Sequence, residues 1–301
     1  MKLLVTSDLH LVRFWRPAVL KLVESWVDEL LPDGLLIAGD IAVPTEAETA
    51  LRALRKLFPN GPIIIALGNH DFWSSPGTDC ASLEQVIQRF WWKPAEEYDV
   101  ALLDVANFQL DDLVFVGGYG HYDLGFACPK LCYDGRWVNQ QHYLIGRPPT
   151  ETPLRWRDFD RMPGASDLPG LAVAQVDSVQ MRLAEAGSRP VFMALHTPPF
   201  SALLGIPDVW QVDPEDPPIR AFFRAYLGNR LMGEMLEANS AHIRGLVCGH
   251  THRPAGPLHL DGFIGVNVGS DYGTPQALIL DARDVSLTRV GPGGSLAGAR
   301  L

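Results

Sequence analysis

The chain of 301 residues is short of positive charge, with 25 Lys and Arg against 35 Asp and Glu and a formal net charge of −10. That deficit argues against a nucleic-acid polymer as partner, because such binding draws on clustered Lys and Arg. Cysteine is scarce as well. Cys80, Cys128, Cys132 and Cys248 are too few and too scattered for a disulfide framework. Cys128 and Cys132 have a spacing that fits part of a zinc site, but no second pair lies nearby, so reduced thiols are expected. No apolar run approaches the length needed to span a bilayer. The opening residues, MKLLVTSDLH, turn polar and acidic too soon for a signal peptide, and a cytoplasmic location is expected. No internal repeat is found. What remains, 47% hydrophobic and 20% charged, is the composition of a globular protein able to bury a substantial core.

The first third alternates short β-branched or apolar runs with amphipathic ones. Strands are predicted at 2–7, 34–39 and 62–68, with helices at 17–30 and 46–58 between them. That β-α-β-α-β order predicts parallel strands joined by right-handed crossovers. The pattern returns in strands at 190–196 and 244–250, bracketing a helical stretch around 219–239. After Pro257 the alternation of LHLDGFIGVNVGS and QALILDARDVSLTRV predicts antiparallel hairpins. Between them, a helix is expected at 82–93 and a hairpin at 108–120, whereas about 121–168 reads as a cap-like insertion rich in Pro, Gly, Arg and aromatics. Residues 1–290 are expected to form a single domain, and the Gly-rich 291–301 a mobile tail.

Chemistry gathers at the strand ends. The first strand runs into Asp8 and His10, the second into Asp40, the third into Asn69, His70 and Asp71, the fourth into His196, and the fifth into His250 and His252. In an open α/β sheet the carboxyl edge is where ligands bind. One edge of one sheet would then collect carboxylates, a carboxamide and imidazoles, a costly burial unless something pairs them. A divalent metal is the natural partner, and the mixture of carboxylate and imidazole suits Zn, Mn, Fe or Ni better than Ca or Mg. There are ligands enough for two ions. Asp40 is the natural bridge, with His250 and His252 sent to different ions.

The series D-x-H, G-D, G-N-H-D, H, G-H-x-H, running from Asp8 to His252, resembles the calcineurin-like metallophosphoesterase superfamily, and most of all its bacterial cyclic-nucleotide phosphodiesterase-like branch. The resemblance implies an α/β fold, a four-layer α/β/β/α sandwich with two mixed sheets around a dinuclear centre. It places Asp8, His10, Asp40 and His252 on one metal and Asp40, Asn69, His196 and His250 on the other. His70 would stand by the leaving group with Asp71 orienting it. The expected activity is hydrolysis of a small phosphomonoester or phosphodiester, through a hydroxide bridging two divalent ions ~3.5–4 Å apart, with Mn favoured. One departure matters: Asp40 is followed by IAVPT, without the D-R of the protein-phosphatase branch, which disfavours phosphoprotein substrates. A nuclease of the same superfamily and a catalytically silent scaffold are the alternatives.

Several residues stand outside the motifs. His121, His142, His242 and His259 read as surface or partly buried, with His121 near enough to border the pocket. Trp73, Trp91, Trp92, Trp137, Trp156 and Trp210 read as a satellite core, or else as an aromatic wall for an organic leaving group. Arg136, Arg147, Arg155, Arg157 and Arg161, interleaved with Asp158 and Asp160, read as a solvated charged face, with a second phosphate site as the sharper alternative.

Overall fold

Apolar side chains on both faces of nearly every central strand decide the architecture, because a sheet buried on both sides needs a layer on each. The computed structural model describes residues 1–75, 78–151, 153–206, 217–260 and 262–291. In it β1 (Lys2–Thr6), β2 (Gly34–Ala38), β3 (Ile63–Ala66) and β4 (Val100–Leu102) pair in parallel. A hairpin, β5 (Phe108–Leu110) and β6 (Leu113–Gly118), opens a second sheet. The small ladder of β7 (Cys132–Tyr133) and β8 (Arg136–Trp137) stands apart. β9 (Val191–Leu195) and β10 (Ile243–Cys248) then join β6 in parallel. The expected late hairpins extend both sheets: β11 (Ala255–Leu260) and β12 (Phe263–Asn267) the second, β13 (Ala277–Asp281) and β14 (Ser286–Arg289) the first. The strand orders are β14-β13-β1-β2-β3-β4 and β11-β12-β10-β9-β6-β5, both mixed.

Alternation along the strands sorts the core into three slabs. Leu3, Val5, Leu36, Ala38 and Ile64 face Phe115, Phe192, Val247 and Val266 between the sheets. Leu4, Leu35, Ile37 and Ile65 turn the other way, onto Val19, Val23 and Trp26 of helix Arg16–Leu30 and Leu51 and Leu54 of helix Ala47–Leu57. On the far side Val116, Met193, Leu195 and Leu246 meet Val179 and Met232 of helices Leu168–Ala186 and Arg230–Ala238. The result is the four-layer α/β/β/α sandwich. Each fully buried Leu, Ile or Val stabilises it by about 1.5–3 kcal/mol.

Three expectations are corrected. The motif-bearing strand ends lie on two sheets, β1, β2 and β3 on one and β9 and β10 on the other, so the ligands converge across the sandwich mouth. Helix Leu168–Ala186 falls where no element was predicted; Asp167 caps it, accepting from Gly170 N–H at 3.1 Å, and Pro sits in its first turn, where no N–H is needed. The helix expected at 82–93 begins as Leu83–Val86, widens to a π turn over Ile87–Trp92 and continues through Lys93–Glu97. No described helix is long and apolar enough to cross a membrane. The tail beyond residue 291, and Trp210, lie outside the described residues.

Candidate metal centre

Five of the seven expected ligands occupy strained backbone. Asp8, His10, Asp40, His250 and His252 have φ between 43° and 70°, in the left-handed region that L-residues rarely adopt and that costs of order 1–3 kcal/mol each. Neighbouring loops hold them there. Asp8 N–H donates to Gly39 C=O at 2.9 Å, His10 N–H to Asp40 C=O at 2.9 Å, and Gly249 N–H to His196 C=O at 3.0 Å. The His250 amide donates to the Asp8 carboxylate at 3.1 and 3.2 Å, tying the first motif to the last. Asn267, at the end of β12, braces the last loop by donating to the carbonyls of Leu203 and Gly249 and to the Thr251 hydroxyl. Gly39 at φ 86° has to be glycine, since a Cβ there would run into the His196 ring.

Protons in the cluster can be placed from their partners. His196 Nδ1 lies 3.0 Å from Ala38 C=O and His250 Nε2 lies 2.8 Å from Tyr226 C=O. A carbonyl only accepts, so each of those nitrogens carries the ring N–H and the other keeps a lone pair. Asn69 spends its amide NH2 on Asp158 Oδ1 at 3.1 Å, which leaves Asn69 Oδ1 an acceptor. These three acceptors point at one another: His196 Nε2 to Asn69 Oδ1 is 3.1 Å, His250 Nδ1 to Asn69 Oδ1 is 3.2 Å, and the two ring nitrogens are 3.2 Å apart. No proton is left to share among them. Asp40 Oδ1 stands 3.4 Å from His196 Nε2 as a fourth acceptor. Ligands bound to one cation at about 2.0–2.2 Å are spaced in this way, and a carboxylate, an amide oxygen and two neutral imidazoles are a transition-metal donor set.

A second set lies beside the first. Asp40 Oδ2 is 3.8 Å from His10 Nε2, and Asp8 Oδ1 is 3.9 Å from His252 Nε2. Ligand atoms of Asp8, His10 and His252 gather within 4.8 Å of one another, as do those of Asp8, Asp40 and His196 and those of His10, Asp40 and His70. His10 Nε2 is buried with no hydrogen-bond partner among the described residues. Burial resists charge here: it pushes Asp8 up to about 6 and, with Asp71 and Asp8 adding repulsion, Asp40 well above the usual carboxylate range. It also holds His10 and His196 well below the usual imidazole value and brings His250 down to about 4. Neutral imidazole is the ligating form, and a bound cation would restore the carboxylates' charge.

His70 and Asp71 divide their tasks differently from expectation. The His70 ring stacks on Trp73 at 3.7 Å, faces the Tyr272 hydroxyl at 3.4 Å, and stands 3.9 Å from Asp40 Oδ2. Its own amide N–H donates to Asp40 Oδ1 at 2.9 Å. Burial, reinforced by His250 and His252, lowers its pKa to about 3. Asp71 does not reach that ring. Its carboxylate accepts from the amides of Gly68 at 2.7 Å, Ala42 at 2.8 Å and Ile41 at 3.2 Å, which staples the loop bearing Asn69 to the loop bearing Asp40. The reason is geometric: a short 3-10 turn over Asn69–Phe72 aims the two side chains apart.

Matched against family models, residues 1–254 fit the calcineurin-like phosphoesterases. The chain belongs to this family. No curated protein matches it in sequence. Among solved structures it is similar to the phosphopantetheinyl hydrolase of Mycobacterium tuberculosis, with 18% identity over 90% of each chain and a TM-score of 0.60. It is also similar to a dimetal phosphatase from Danio rerio, with 13% identity over 98% of this chain and 97% of that one and a TM-score of 0.55. A purple acid phosphatase from yellow lupin seeds gives 13% identity and a TM-score of 0.54, over 99% of this chain and 52% of that one. Likeness at such identities speaks for the fold alone; this phosphoesterase's chemistry has to be read from its own side chains.

Those side chains include several that the motifs do not announce. A pocket of about 380 Å³ opens over the centre, lined by Asp40, Asn69, His70, His250 and His252 below and by Trp73, Trp156, Phe223 and Tyr272 with Arg155 and Arg157 above. Tyr272 stacks on His10 at 4.2 Å and on His252 at 4.7 Å, holding both rings. Asp158 is buried rather than solvated. The tryptophans split: Trp91 is core, Trp73 and Trp156 line the pocket, and Trp92 and Trp137 are exposed. His121 is fully buried behind Tyr122 and does not line the pocket, while His242 and His259 are exposed and His142 helps cap a short helix. Cys128 is buried, Cys132 exposed, and neither joins a metal-binding group among the described residues.

Proposed function

We propose that this phosphoesterase is a dinuclear enzyme that hydrolyses a small phosphomonoester or phosphodiester. The observation that carries the reading is the cluster of Asn69 Oδ1, His196 Nε2 and His250 Nδ1, three acceptors within 3.2 Å of each other with no proton between them. Such an arrangement repels itself unless a cation sits among the lone pairs. Asp40, Asn69, His196 and His250 would hold one ion, and Asp8, His10, Asp40 and His252 the other. The two Asp40 oxygens face the two sets separately, which supports that carboxylate as the bridge. When bound, two divalent ions lower the pKa of a water between them and polarise the phosphoryl oxygens.

The protein's own groups do the rest. Asp8 and Asp40 offset part of the cations' charge in an otherwise apolar surround. His70 Nε2, on the pocket side and fixed by its Trp73 stack, is placed to stabilise the charge that develops on the departing oxygen. Tyr272, at 3.4 Å from that nitrogen, orients the ring. The aromatic wall of Trp73, Trp156, Phe223 and Tyr272 accepts a flat or apolar leaving group, and 380 Å³ bounds it to a small molecule. The motif series favours the diesterase-like branch. Mn is the expected metal.

Chelated protein supplied in turn with Mn, Fe(II), Zn or Ni tests this reading on 4-nitrophenyl phosphate and bis(4-nitrophenyl) phosphate. Turnover of at least one ester should return with metal, and most with Mn. Failure to cleave either ester with every metal would overturn the assignment.

Arg157 lines the same pocket and makes no side-chain hydrogen bond or ion pair among the described residues, whereas Arg155 pairs with Asp160. A free guanidinium over an aromatic pocket reads a second anionic group on the substrate. Arg157→Ala should therefore raise KM for an aryl phosphoester bearing a second carboxylate or phosphate by about tenfold, or ~1.4 kcal/mol, and leave bis(4-nitrophenyl) phosphate within about twofold. Equal effects on both substrates would reduce Arg157 to a general field.

A further inference from the structure

The insertion sends one carboxylate into the centre of the protein. Asp158 is 1% exposed, stands 89 residues from Asn69 in sequence, and touches four donors from three parts of the chain. Its Oδ1 accepts from Asn69 Nδ2 at 3.1 Å and Trp73 Nε1 at 2.7 Å. Its Oδ2 accepts from the Tyr122 hydroxyl at 2.6 Å and Trp156 Nε1 at 3.1 Å. An indole N–H can only donate, so the two tryptophans fix both oxygens as acceptors. Facing the ionised carboxylate, the end of the Asn69 amide that meets Asp158 is the NH2.

That constraint has a consequence on the other side of the amide. A primary amide is nearly symmetric in shape, and rotation by half a turn exchanges oxygen for NH2. In the rotated form Asn69 would donate into the lone pairs of His196 Nε2 and His250 Nδ1, which lie 3.1 and 3.2 Å away from its present oxygen. The cluster would be satisfied by protons and closed to a cation. Asp158 opposes the rotation, because it would set an amide oxygen against a saturated carboxylate. The same carboxylate holds Trp73, on which His70 stacks at 3.7 Å, and Trp156, which lines the pocket.

We propose that Asp158 is a positioning residue that selects the Asn69 orientation offering oxygen to the metal, and so couples the 121–168 insertion to the centre. This rests on the metal-dependent reading above. Titration of metal-free wild-type protein with Mn, Fe(II), Zn and Ni in turn, followed by calorimetry, comes first; absence of binding by all four would sink that reading itself, and the Asp158 proposal with it. The variants below are read with Mn or, should Mn not bind, with the metal that does. Given binding in the wild type, Asp158→Asn should weaken Mn affinity at one of the two positions by about 10–100-fold, the usual cost of losing a partner that orients a ligand, and leave the other within about threefold. Wild-type affinity at both positions in the folded variant would overturn the proposal.

The reversed pair, Asn69→Asp with Asp158→Asn, separates positioning from packing. A carboxylate at 69 offers oxygen whichever way it turns, while amide and carboxylate still face each other. The double variant should bind Mn at least tenfold more tightly at the affected position than Asp158→Asn, and more tightly than Asn69→Asp alone, which sets two carboxylates together. Affinity in the double variant no better than in Asp158→Asn would overturn the proposal. Should Asp158→Asn not fold, the double variant decides: folded with two Mn bound supports the assignment, and one Mn or no fold leaves Asp158 to packing and overturns it.

Discussion

Asp40→Asn is expected to remove turnover by 10³-fold or more, at least ~4 kcal/mol of barrier, and to weaken both metal positions together. Its two oxygens face the two sets separately, with Oδ1 3.4 Å from His196 and Oδ2 3.8 Å from His10. The asparagine keeps the shape and one acceptor. It loses the charge that both cations require and turns an NH2 toward one of the two sets. His252→Ala makes the contrast, since among the described residues His252 gathers as a ligand with Asp8 and His10 and not with His196, and should spare the Asn69 side of the centre. Elemental analysis of the two variants, beside a circular dichroism check of fold, reads the difference. Two full equivalents of metal in an active Asp40→Asn protein would remove Asp40 from the bridge.

His70→Asn should do the opposite: keep both metals and lose roughly 10²- to 10⁴-fold in rate, the span of general acid-base assistance. The ring lies on the pocket side of the centre, pinned between Trp73 and the Tyr272 hydroxyl. A group that helps the leaving oxygen matters most when that oxygen is strongly basic. The loss should therefore shrink for a nitrophenolate leaving group and grow for an alkoxide. Equal losses on nitrophenyl and alkyl esters would argue against proton donation and leave electrostatic stabilisation. Because His70 Nε2 also lies 3.9 Å from Asp40 Oδ2, a variant that drops one metal equivalent would make His70 a ligand instead.

Much of this site is local in sequence, which is why it can be read there. Asp8, His10, Asp40, Asn69, His70, His196, His250 and His252 each lie within a few residues of the end of a short apolar run, and the run itself predicts the strand that delivers them. What the runs do not encode is which sheet each strand joins; β9 and β10 read like β1 to β3 yet lie in the facing layer. Asp158 was hidden for a different reason. Between Arg157 and Asp160 it looks like one charge on a wet surface, and only the arrival of Asn69, Trp73 and Tyr122 makes its burial affordable. Tyr272 likewise reaches His10 and His252 from a turn far along the chain, with no periodicity to mark it. Helix Leu168–Ala186 was obscured by its opening Leu-Pro-Gly and by apolar residues spread around it rather than along one stripe. Asp71 shows the limit of motif transfer, since adjacency to His70 in sequence turns its carboxylate toward the Ile41, Ala42 and Gly68 amides instead.

The measurement that bears most directly on the dinuclear centre is anomalous X-ray scattering at the Mn edge from crystals of the Mn-loaded protein. Two peaks are predicted, ~3.5–4 Å apart, on either side of the Asp40 carboxylate, one among Asn69, His196 and His250 and the other among Asp8, His10 and His252. A single peak, or peaks away from Asp40, would contradict the account.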